Sequence, residues 1–248
     1  MRSTTQDQRI KAAYKESIAR NILVYGEQTI PTALKYGVRI EYADRAAKGY
    51  DMRNRASAKK AGTAFETAVA DYLAAYLEKP IERRARMGAK DRGDIAGVTT
   101  YYNKPVVVEC KCEQRVKVGT YLKEAEIEKN HDEAYASFVV FKRNGIGMGK
   151  NSPMGRQCVF MKKSDLFTLA NCNRWNNQSI IHGIDGMSVK IDKLNISRKY
   201  DIEGALSVIE SSNCKQDAHV VLHQAQDGDY FVVTTLENVA KMLGYKPK

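Results

Sequence analysis

An apolar run that ends in an acid and a base is the feature that most constrains the fold. Residues 105–113, PVVVECKCE, place three valines directly before Glu109 and Lys111. A continuous apolar run of this kind is typical of a strand that is buried on both faces of a sheet. Because side chains alternate along a strand, Glu109 and Lys111 project from one face and Cys110 from the other. The run therefore predicts a central strand whose end presents an acid beside a base.

The flanking sequence predicts an alternation of helices and strands. Phe65, Val69 and Leu73 fall at helical spacing in GTAFETAVADYLAAYL, which predicts an amphipathic helix that carries Glu66 near its start. Further strands are predicted at 94–98, 137–143 and 157–163, and further helices at 120–136 and 164–172. This order predicts an α/β layered fold.

Composition divides the chain into three segments. Residues 1–58 form a basic N-terminal extension with a predicted helix near 7–24, and the cationic stretch 48–60 fits a linker or an arm that faces DNA. Residues 59–175 hold the predicted core. Residues 176–248 are predicted to form a C-terminal α/β lobe.

This lobe echoes part of the core. Val220 and Val232 match Val139 and Phe160 in two similar strand–turn–strand–helix segments. No acid-x-lysine pair accompanies the echo, so it fits a half-repeat without the chemistry, and chance similarity is the alternative. Clamping a substrate or forming a dimer is the role we expect for the lobe.

The charge balance favours an anionic partner. The 248 residues include 40 Lys and Arg against 29 Asp and Glu, a formal charge of +11. Such a surplus favours nucleic acid or an anionic membrane. No apolar stretch approaches the length of a membrane span and the N-terminus lacks an apolar signal segment, so nucleic acid is the favoured partner. The five cysteines are scattered without zinc-site spacing, which predicts a reduced, cytoplasmic setting.

Acids from three places can meet at the end of the central strand. Asp94 follows a glycine and begins the strand upstream, and Glu66 lies on the preceding helix. Taken alone, Glu109-x-Lys111 also fits a solvated ion pair. Together with Asp94 and the main-chain carbonyl of Cys110, Glu109 would hold Mg²⁺, with Mn²⁺ as an alternative. Lys111 would orient a cation-bound water or help to deprotonate it, and Glu66 would hold a second cation or a water on the first.

Several other side chains fit either a functional or a plain structural role. The basic residues expected to contact the DNA backbone, or else to form cationic loops, are Arg83, Arg84, Arg86, Lys142, Arg143 and Lys150. Residues for which a solvated helix face, a cap or a core position is the plainer interpretation are Glu113, Glu124, Glu128, His131, Tyr101, Tyr102 and Trp175. The tyrosines and the tryptophan would suit stacking on unpaired bases.

The ordered motifs GTAFE, GDI and VVVECK resemble the PD-(D/E)xK nuclease superfamily. Within it, the chain is most similar to the Holliday junction resolvases of bacteriophages and archaea, and the segments after Lys111 are similar to the phage branch. The resemblance covers about residues 55–172 and has Gly93 where the superfamily name has proline. It implies a restriction-endonuclease-like core, with a helix, a mixed central sheet and flanking helices. The residues outside this core are expected to form an N-terminal helical extension and a C-terminal α/β appendage.

The resemblance also implies an activity. We expect a homodimeric, Mg²⁺-dependent endonuclease that cuts branched DNA, in the host cytoplasm if it is encoded by a phage. Glu66, Asp94, Glu109 and Lys111 would be its catalytic residues. An exonuclease or a restriction-type nuclease on the same core is the nearest alternative. A non-catalytic DNA-binding protein is the alternative from another class, and the joint presence of all four residues argues against it.

Overall fold

A computed structural model describes residues 55–85, 91–149, 151–172, 178–194, 201–224 and 230–246. The chain divides into two compact units, residues 1–58 and 59–248, and of the first unit only residues 55–58 are described. The predicted helix near 7–24 therefore lies outside the described residues. Arg86, Lys150 and Trp175 lie outside them as well.

Five α-helices and nine strands are described. The helices are α1 (Arg55–Leu77), α2 (Val118–His131), α3 (Lys163–Leu169), α4 (Ile202–Ser211) and α5 (Leu236–Leu243), with a 3₁₀ turn at Met154–Arg156. The strands are β1 (Glu82–Arg83), β2 (Ile95–Ala96), β3 (Val106–Lys111), β4 (Ala136–Phe141), β5 (Cys158–Lys162), β6 (Ile180–His182), β7 (Ser188–Leu194), β8 (Ala218–Gln224) and β9 (Tyr230–Thr235). Helix α1 begins before the predicted start at residue 62 because the preceding alanines and lysines also favour helix.

The strands form one open, mixed sheet in the order β1-β2-β3-β4-β5-β9-β8-β7-β6. The β3–β4 and β7–β8 pairs are parallel, and the other neighbouring pairs are antiparallel. The predicted α/β class is therefore confirmed. No helix within the described ranges is both long and apolar enough to cross a bilayer.

Helices cover both faces of the sheet. On one face, α1, α3 and α5 share a core that includes Phe65, Leu166 and Val239. On the other face, α2 and α4 share a second core that includes Tyr121 and Leu206. These five side chains are almost fully buried, and each such residue contributes roughly 2 kcal/mol of hydrophobic stabilisation. The strands lie between the two layers, so their side chains alternate between the two cores.

The sheet repeats one pairing pattern on either side of its centre. In the first half (residues 91–172), the parallel pair β3–β4 matches six residues, from Val106 opposite Ala136 to Lys111 opposite Phe141. In the second half (residues 178–246), β7–β8 also matches six, from Val189 opposite Ala218 to Leu194 opposite His223. In each half, an antiparallel strand, β5 or β9, follows, and a helix starts at the next residue.

The two halves meet at the antiparallel β5–β9 pair, which we call the seam. Phe160 and Val233 lie opposite each other there. Each of them also pairs with a valine on the inner parallel strand of its own half, Val139 and Val221 respectively. A pseudo-twofold axis therefore passes between Phe160 and Val233. In the structure, Val139 corresponds to Val221 and Phe160 to Val233. Each partner is one residue later than Val220 and Val232, which were matched from the sequence.

Two buried side chains occupy equivalent places in this pseudo-twofold arrangement. At the start of α3, Asp165 Oδ1 accepts a hydrogen bond from the main-chain N–H of Ser137 at 3.3 Å. At the start of α5, Asn238 Oδ1 accepts one from the main-chain N–H of His219, also at 3.3 Å. Ser137 and His219 are the second residues of β4 and β8, so the same side-chain clasp fixes helix to strand in both halves.

Candidate active site

The end of β3 carries the acid–base pair that the sequence predicted. Val106, Val107 and Val108 are buried, and β4 beside them is buried along its whole length, so β3 is a central strand. Glu109 is only 8% exposed. Lys111 Nζ lies 2.6 Å from Glu109 Oε1, which confirms that the two side chains share one face.

Asp94 reaches the same strand end through a tight backbone approach. The N–H of Asp94 donates to the carbonyl of Val108 at 2.9 Å, and Asp94 Oδ2 accepts from the N–H of Cys110 at 2.8 Å. Gly93 precedes it with a φ of 86°, and a Cβ there would lie 2.9 Å from both Val107 Cγ1 and the carbonyl oxygen of Val108. Glycine is therefore required at this position. Proline, whose φ is near −65°, could not adopt this backbone.

Glu66 supplies a third acid from α1. Its neighbours Phe65 and Val69 are fully buried and anchor the helix on the sheet, and Glu66 itself is 4% exposed. It lies close enough to the other acids for its charge to be among the causes that raise the pKa of Asp94. Arg83 Nη1 lies 3.5 Å from Glu66 Oε2. The three predicted acids thus converge from a helix, a short strand and a central strand.

The acids crowd one another, and their pKa values show it. Burial, followed by repulsion from Glu109, raises the pKa of Asp94 to about 7. Burial also raises the pKa of Glu109 to about 7, although Lys111 acts in the opposite direction. Carboxylates in such surroundings gain stability from any added positive charge.

Two acids of α2 also belong to the site. Lys111 Nζ lies 2.7 Å from Glu124 Oε2, and Glu128 lies close enough to Glu109 to contribute to the raised pKa of Glu109. Burial raises the pKa of Glu128. The sequence favoured a solvated helix face for both residues. The available signal was the pair of buried side chains Tyr121 and Ala125, because Glu124 and Glu128 each lie three residues after one of them, on an adjoining side of the helix.

Lys111 is held as a cation. Burial alone would lower its pKa, but the ion pairs with Glu109 and Glu124 outweigh burial and raise it above the ordinary lysine value. Of the two roles expected from the sequence, orienting a water suits a protonated lysine, whereas deprotonating a water does not.

The other predicted residues lie further from this centre. Arg84 pairs with Asp132 at 3.1 Å, and Lys142 Nζ donates to the carbonyl of Ile146 at 3.1 Å. Arg143, with a side chain only 10% exposed, binds Glu203 at 2.8 Å and Glu210 at 2.6 Å in α4. Further positions are Glu113, which accepts from Tyr121 Oη at 3.0 Å, and His131, whose Nδ1 lies 3.1 Å from the carbonyl of Asp91.

The second half has different chemistry at the equivalent place. Asp192 corresponds to Glu109, because Asp192 pairs with Val221 and Glu109 pairs with Val139. The position of Lys111 is taken by Leu194. Asp192 Oδ2 lies 2.8 Å from His219 Nε2 and 3.1 Å from Lys190 Nζ. Burial alone would raise the pKa of Asp192, but hydrogen bonds from His219 and Lys190 outweigh it and lower the pKa.

The donor atoms at the end of β3 fit a hard divalent cation. Among the described residues, no group of three or more His, Cys, Asp or Glu side chains is arranged to hold a metal ion by itself. Mg²⁺ usually keeps several waters and takes only one or two carboxylates from a protein. Asp94 and Glu109 supply that number of carboxylates, and the carbonyl of Cys110 stays a predicted ligand. No protein-family model matches the chain, and comparisons with curated proteins and with solved structures found no significant match.

Proposed function

We propose that this protein is a Mg²⁺-dependent nuclease of the restriction-endonuclease-like fold that hydrolyses phosphodiesters in branched DNA. The observation that carries the proposal is the convergence of Glu66, Asp94 and Glu109 beside Lys111. A solvated ion pair requires only one acid, whereas this site has three acids, each from a separate element. Their crowding also costs folding stability unless a cation offsets it, and residues of this kind are typical of functional sites.

The residues at the end of β3 would have different roles in hydrolysis. The carboxylates of Asp94 and Glu109, with the carbonyl of Cys110, would hold Mg²⁺, and Mn²⁺ is the expected substitute. When bound, Mg²⁺ supplies an activated water and offsets negative charge on the phosphate. The Cys110 N–H fixes Asp94 in place for this task. Glu66 would hold a water of the cation or a second cation.

Lys111 would face the phosphate as a fixed positive charge. Glu109 and Glu124 hold its ammonium group from two sides, so its position is set before substrate binds. Donation from Lys111 to a non-bridging oxygen would stabilise charge as the water forms one P–O bond and the bridging P–O bond breaks. Preorganised donors of this kind require little rearrangement during the reaction.

The resemblance implies a branched substrate, and charge and symmetry are compatible with one. The net charge of +11 favours a polyanion. The pseudo-twofold arrangement includes one acid–lysine centre, because Leu194 stands at the position of Lys111 in the second half. Symmetric cutting of a four-way junction therefore needs two chains, in agreement with a homodimer.

The proposal is tested on a panel of labelled DNA substrates. The chain is incubated with a four-way junction, a linear duplex, a flap and a single strand, in Mg²⁺ or in EDTA. We expect paired nicks in the junction with Mg²⁺ and none with EDTA. Progressive loss from the ends would instead identify an exonuclease. Binding without any metal-dependent cutting would refute the proposed activity.

A variant at Glu109 separates catalysis from binding. We expect Glu109→Ala to abolish cutting and to leave junction affinity nearly intact, because Glu109 would hold the cation and not the DNA backbone. Asp192→Ala is the matched control at the equivalent position of the second half, and it should cut normally. Equal loss of cutting and affinity in Glu109→Ala would show that Glu109 is structural.

A further inference from the structure

A tyrosine-lined cavity of about 450 Å³ lies at the far end of β3 from Lys111. The turn before β3 contributes Tyr101, Tyr102 and Lys104, and Tyr135 precedes β4. The chain between Lys104 and Lys111 spans roughly 20 Å as an extended strand. The cavity is therefore separate from the candidate active site, and its volume is in the range of sites for small planar ligands.

Aromatic rings form the exposed wall of this cavity. Tyr101, Tyr102 and Tyr135 are 46%, 50% and 53% exposed. The rings of Tyr101 and Tyr102 meet edge to face, with centroids 5.2 Å apart, which fixes both against free rotation. Lys104 Nζ lies 4.6 Å from the centre of the Tyr135 ring. Ring faces beside a cation are the combination that binds unpaired nucleotides.

Polar groups converge on the opposite side of the cavity. Asp185 Oδ2 accepts hydrogen bonds from Asn171 Nδ2 at 3.2 Å and from Tyr102 Oη at 3.3 Å. These groups come from the end of α3 and from the β6–β7 turn, so both halves of the sheet contribute. The buried side chains of Met187 and Leu169 add apolar surface to the lining of the cavity. A planar ligand with a polar edge is complementary to this arrangement.

We propose that this cavity binds a purine or pyrimidine base that is not paired in a duplex. The base would stack on Tyr101 or Tyr102 and present its polar edge to Asn171 and Asp185. Lys104 would pair with the adjoining phosphate. The assignment of this base to a strand of branched DNA rests on the proposed function, whereas base binding itself does not. Such a site would select DNA with unpaired nucleotides near the cut.

The test measures binding without cutting. Full-length Glu109→Gln protein in EDTA is titrated with a fluorescent oligothymidine, with the same oligonucleotide in a duplex, and with thymidine monophosphate as competitor. Fluorescence anisotropy reports the dissociation constants. We expect the single strand to bind at least about fivefold more weakly when Tyr101→Ala and Tyr102→Ala are combined, because stacking on one base contributes about 1–3 kcal/mol, which is roughly 5- to 150-fold in affinity.

Two variants control for folding and for general surface effects. Tyr101→Phe with Tyr102→Phe keeps both rings and should keep most of the affinity. Tyr230→Ala removes a tyrosine that is 37% exposed and does not line this cavity, and it should change affinity less than twofold. Unchanged thermal unfolding of the alanine double variant would show that it folds.

The outcomes separate this proposal from the nuclease proposal. Competition by thymidine monophosphate that depends on the tyrosines would support a base site open to free nucleotides, and binding of the oligonucleotide alone would support a strand site. Equal single-strand affinity in the parent and the alanine double variant overturns the base site, even if the wild type cuts junctions. Tyrosine-dependent binding by a protein that cuts no substrate would overturn only the nuclease.

Discussion

The two halves of the sheet place an acid at the same point and give it opposite surroundings. Glu109 lies among further acids, and its pKa is raised to about 7 by burial. Asp192, at the equivalent position, is paired with His219 and Lys190, and its pKa is lowered. Glu109 shares its lysine partner, Lys111, with Glu124, whereas Asp192 contacts two basic side chains, His219 and Lys190. The backbone fold sets the position of each acid, and the neighbouring side chains determine whether that acid is available to bind a cation.

The placement of lysine makes the same contrast. Lys111 follows Glu109 by two residues, towards the open end of β3, where α2 supplies Glu124 as a second partner. Lys190 precedes Asp192 by two residues, so it lies within β7 and not at its end. The two lysines therefore differ in their position along the strand and in their partners. The predictions below test this difference, beginning with the largest expected effect.

Replacing Lys111 by the residue at the equivalent position of the second half should remove most of the activity. We expect Lys111→Leu, which copies Leu194, to lower the rate of junction cutting by about 100-fold or more, since removing one preorganised charge stabiliser typically costs that much. The matched change Asp192→Asn should alter the rate less than twofold. Single-turnover cutting of the labelled junction in Mg²⁺ gives both rates. A comparable loss in the two variants would mean that both halves take part in the chemistry.

The acids of the two halves should make opposite contributions to the pH dependence of folding stability. The raised pKa values of Asp94 and Glu109 favour the folded state below about pH 4, and without a divalent cation this advantage is lost as pH rises to about 7. The lowered pKa of Asp192 stabilises the fold above about pH 4, and this contribution is lost as pH falls below it.

Chemical unfolding between pH 3 and pH 8 checks these signs. Glu109→Gln should flatten the decline between pH 4 and pH 7, whereas Asp192→Asn should lower stability above about pH 4 and change it least at pH 3. Mg²⁺ at pH 7 should raise the unfolding midpoint of the wild type but not of Glu109→Gln. A rise of equal size in both proteins would place the bound cation elsewhere.

The paired helix clasps should have similar energetic weight. Asp165→Ala and Asn238→Ala each leave a buried main-chain N–H without its acceptor, which should cost about 1–3 kcal/mol of unfolding free energy. Asp165→Asn keeps the acceptor and should cost less than Asp165→Ala. Denaturant titration measures all three. A large loss at one clasp and none at the other would show that the halves are not equivalent in stability.

The smallest effect concerns the ion pairs between the halves. Arg143 in the first half binds Glu203 and Glu210 in α4 of the second. The side chain of Glu203 is 65% exposed, so Glu203→Gln should change stability by less than about 1 kcal/mol. Glu210 also binds Arg156, and Glu210→Gln should cost more than Glu203→Gln. The reverse order would show that Arg143 depends mainly on the exposed partner.

Local patterns were sufficient to predict much of the fold. Three consecutive valines before Glu109 identified the central strand, and the spacing of Phe65 and Val69 identified α1. The single nine-stranded sheet was not predicted, because the β5–β9 pairing joins residues that are distant in sequence and leaves no periodic signal. For the same reason, the match between the halves was one residue out. A continuous apolar run, unlike a strict apolar–polar alternation, does not fix the register of a strand, and only the strand pairing does.

The candidate site was predicted in its acids but not in its surroundings. Glu109 and Lys111 could be predicted from the β3 sequence alone, and Asp94 from the glycine and short strand upstream of it. Glu124 and Glu128 were assigned to solvent, since whether an acid beside an apolar helix stripe meets water or a neighbouring element depends on the crossing of α2 over β3. The positive φ of Gly93 was likewise invisible in the sequence, although it is what brings Asp94 against β3.

The seam between β5 and β9 has a consequence for how the chain must fold. Its paired residues are roughly 70 positions apart, so the seam closes only after nearly the whole chain is made. Until then, β5 presents an unpaired apolar edge to its surroundings, and such edges recruit other chains. A protein cut short before residue 230 should therefore aggregate during synthesis. The second half would thus protect the first half from aggregation, because β9 covers the edge of β5.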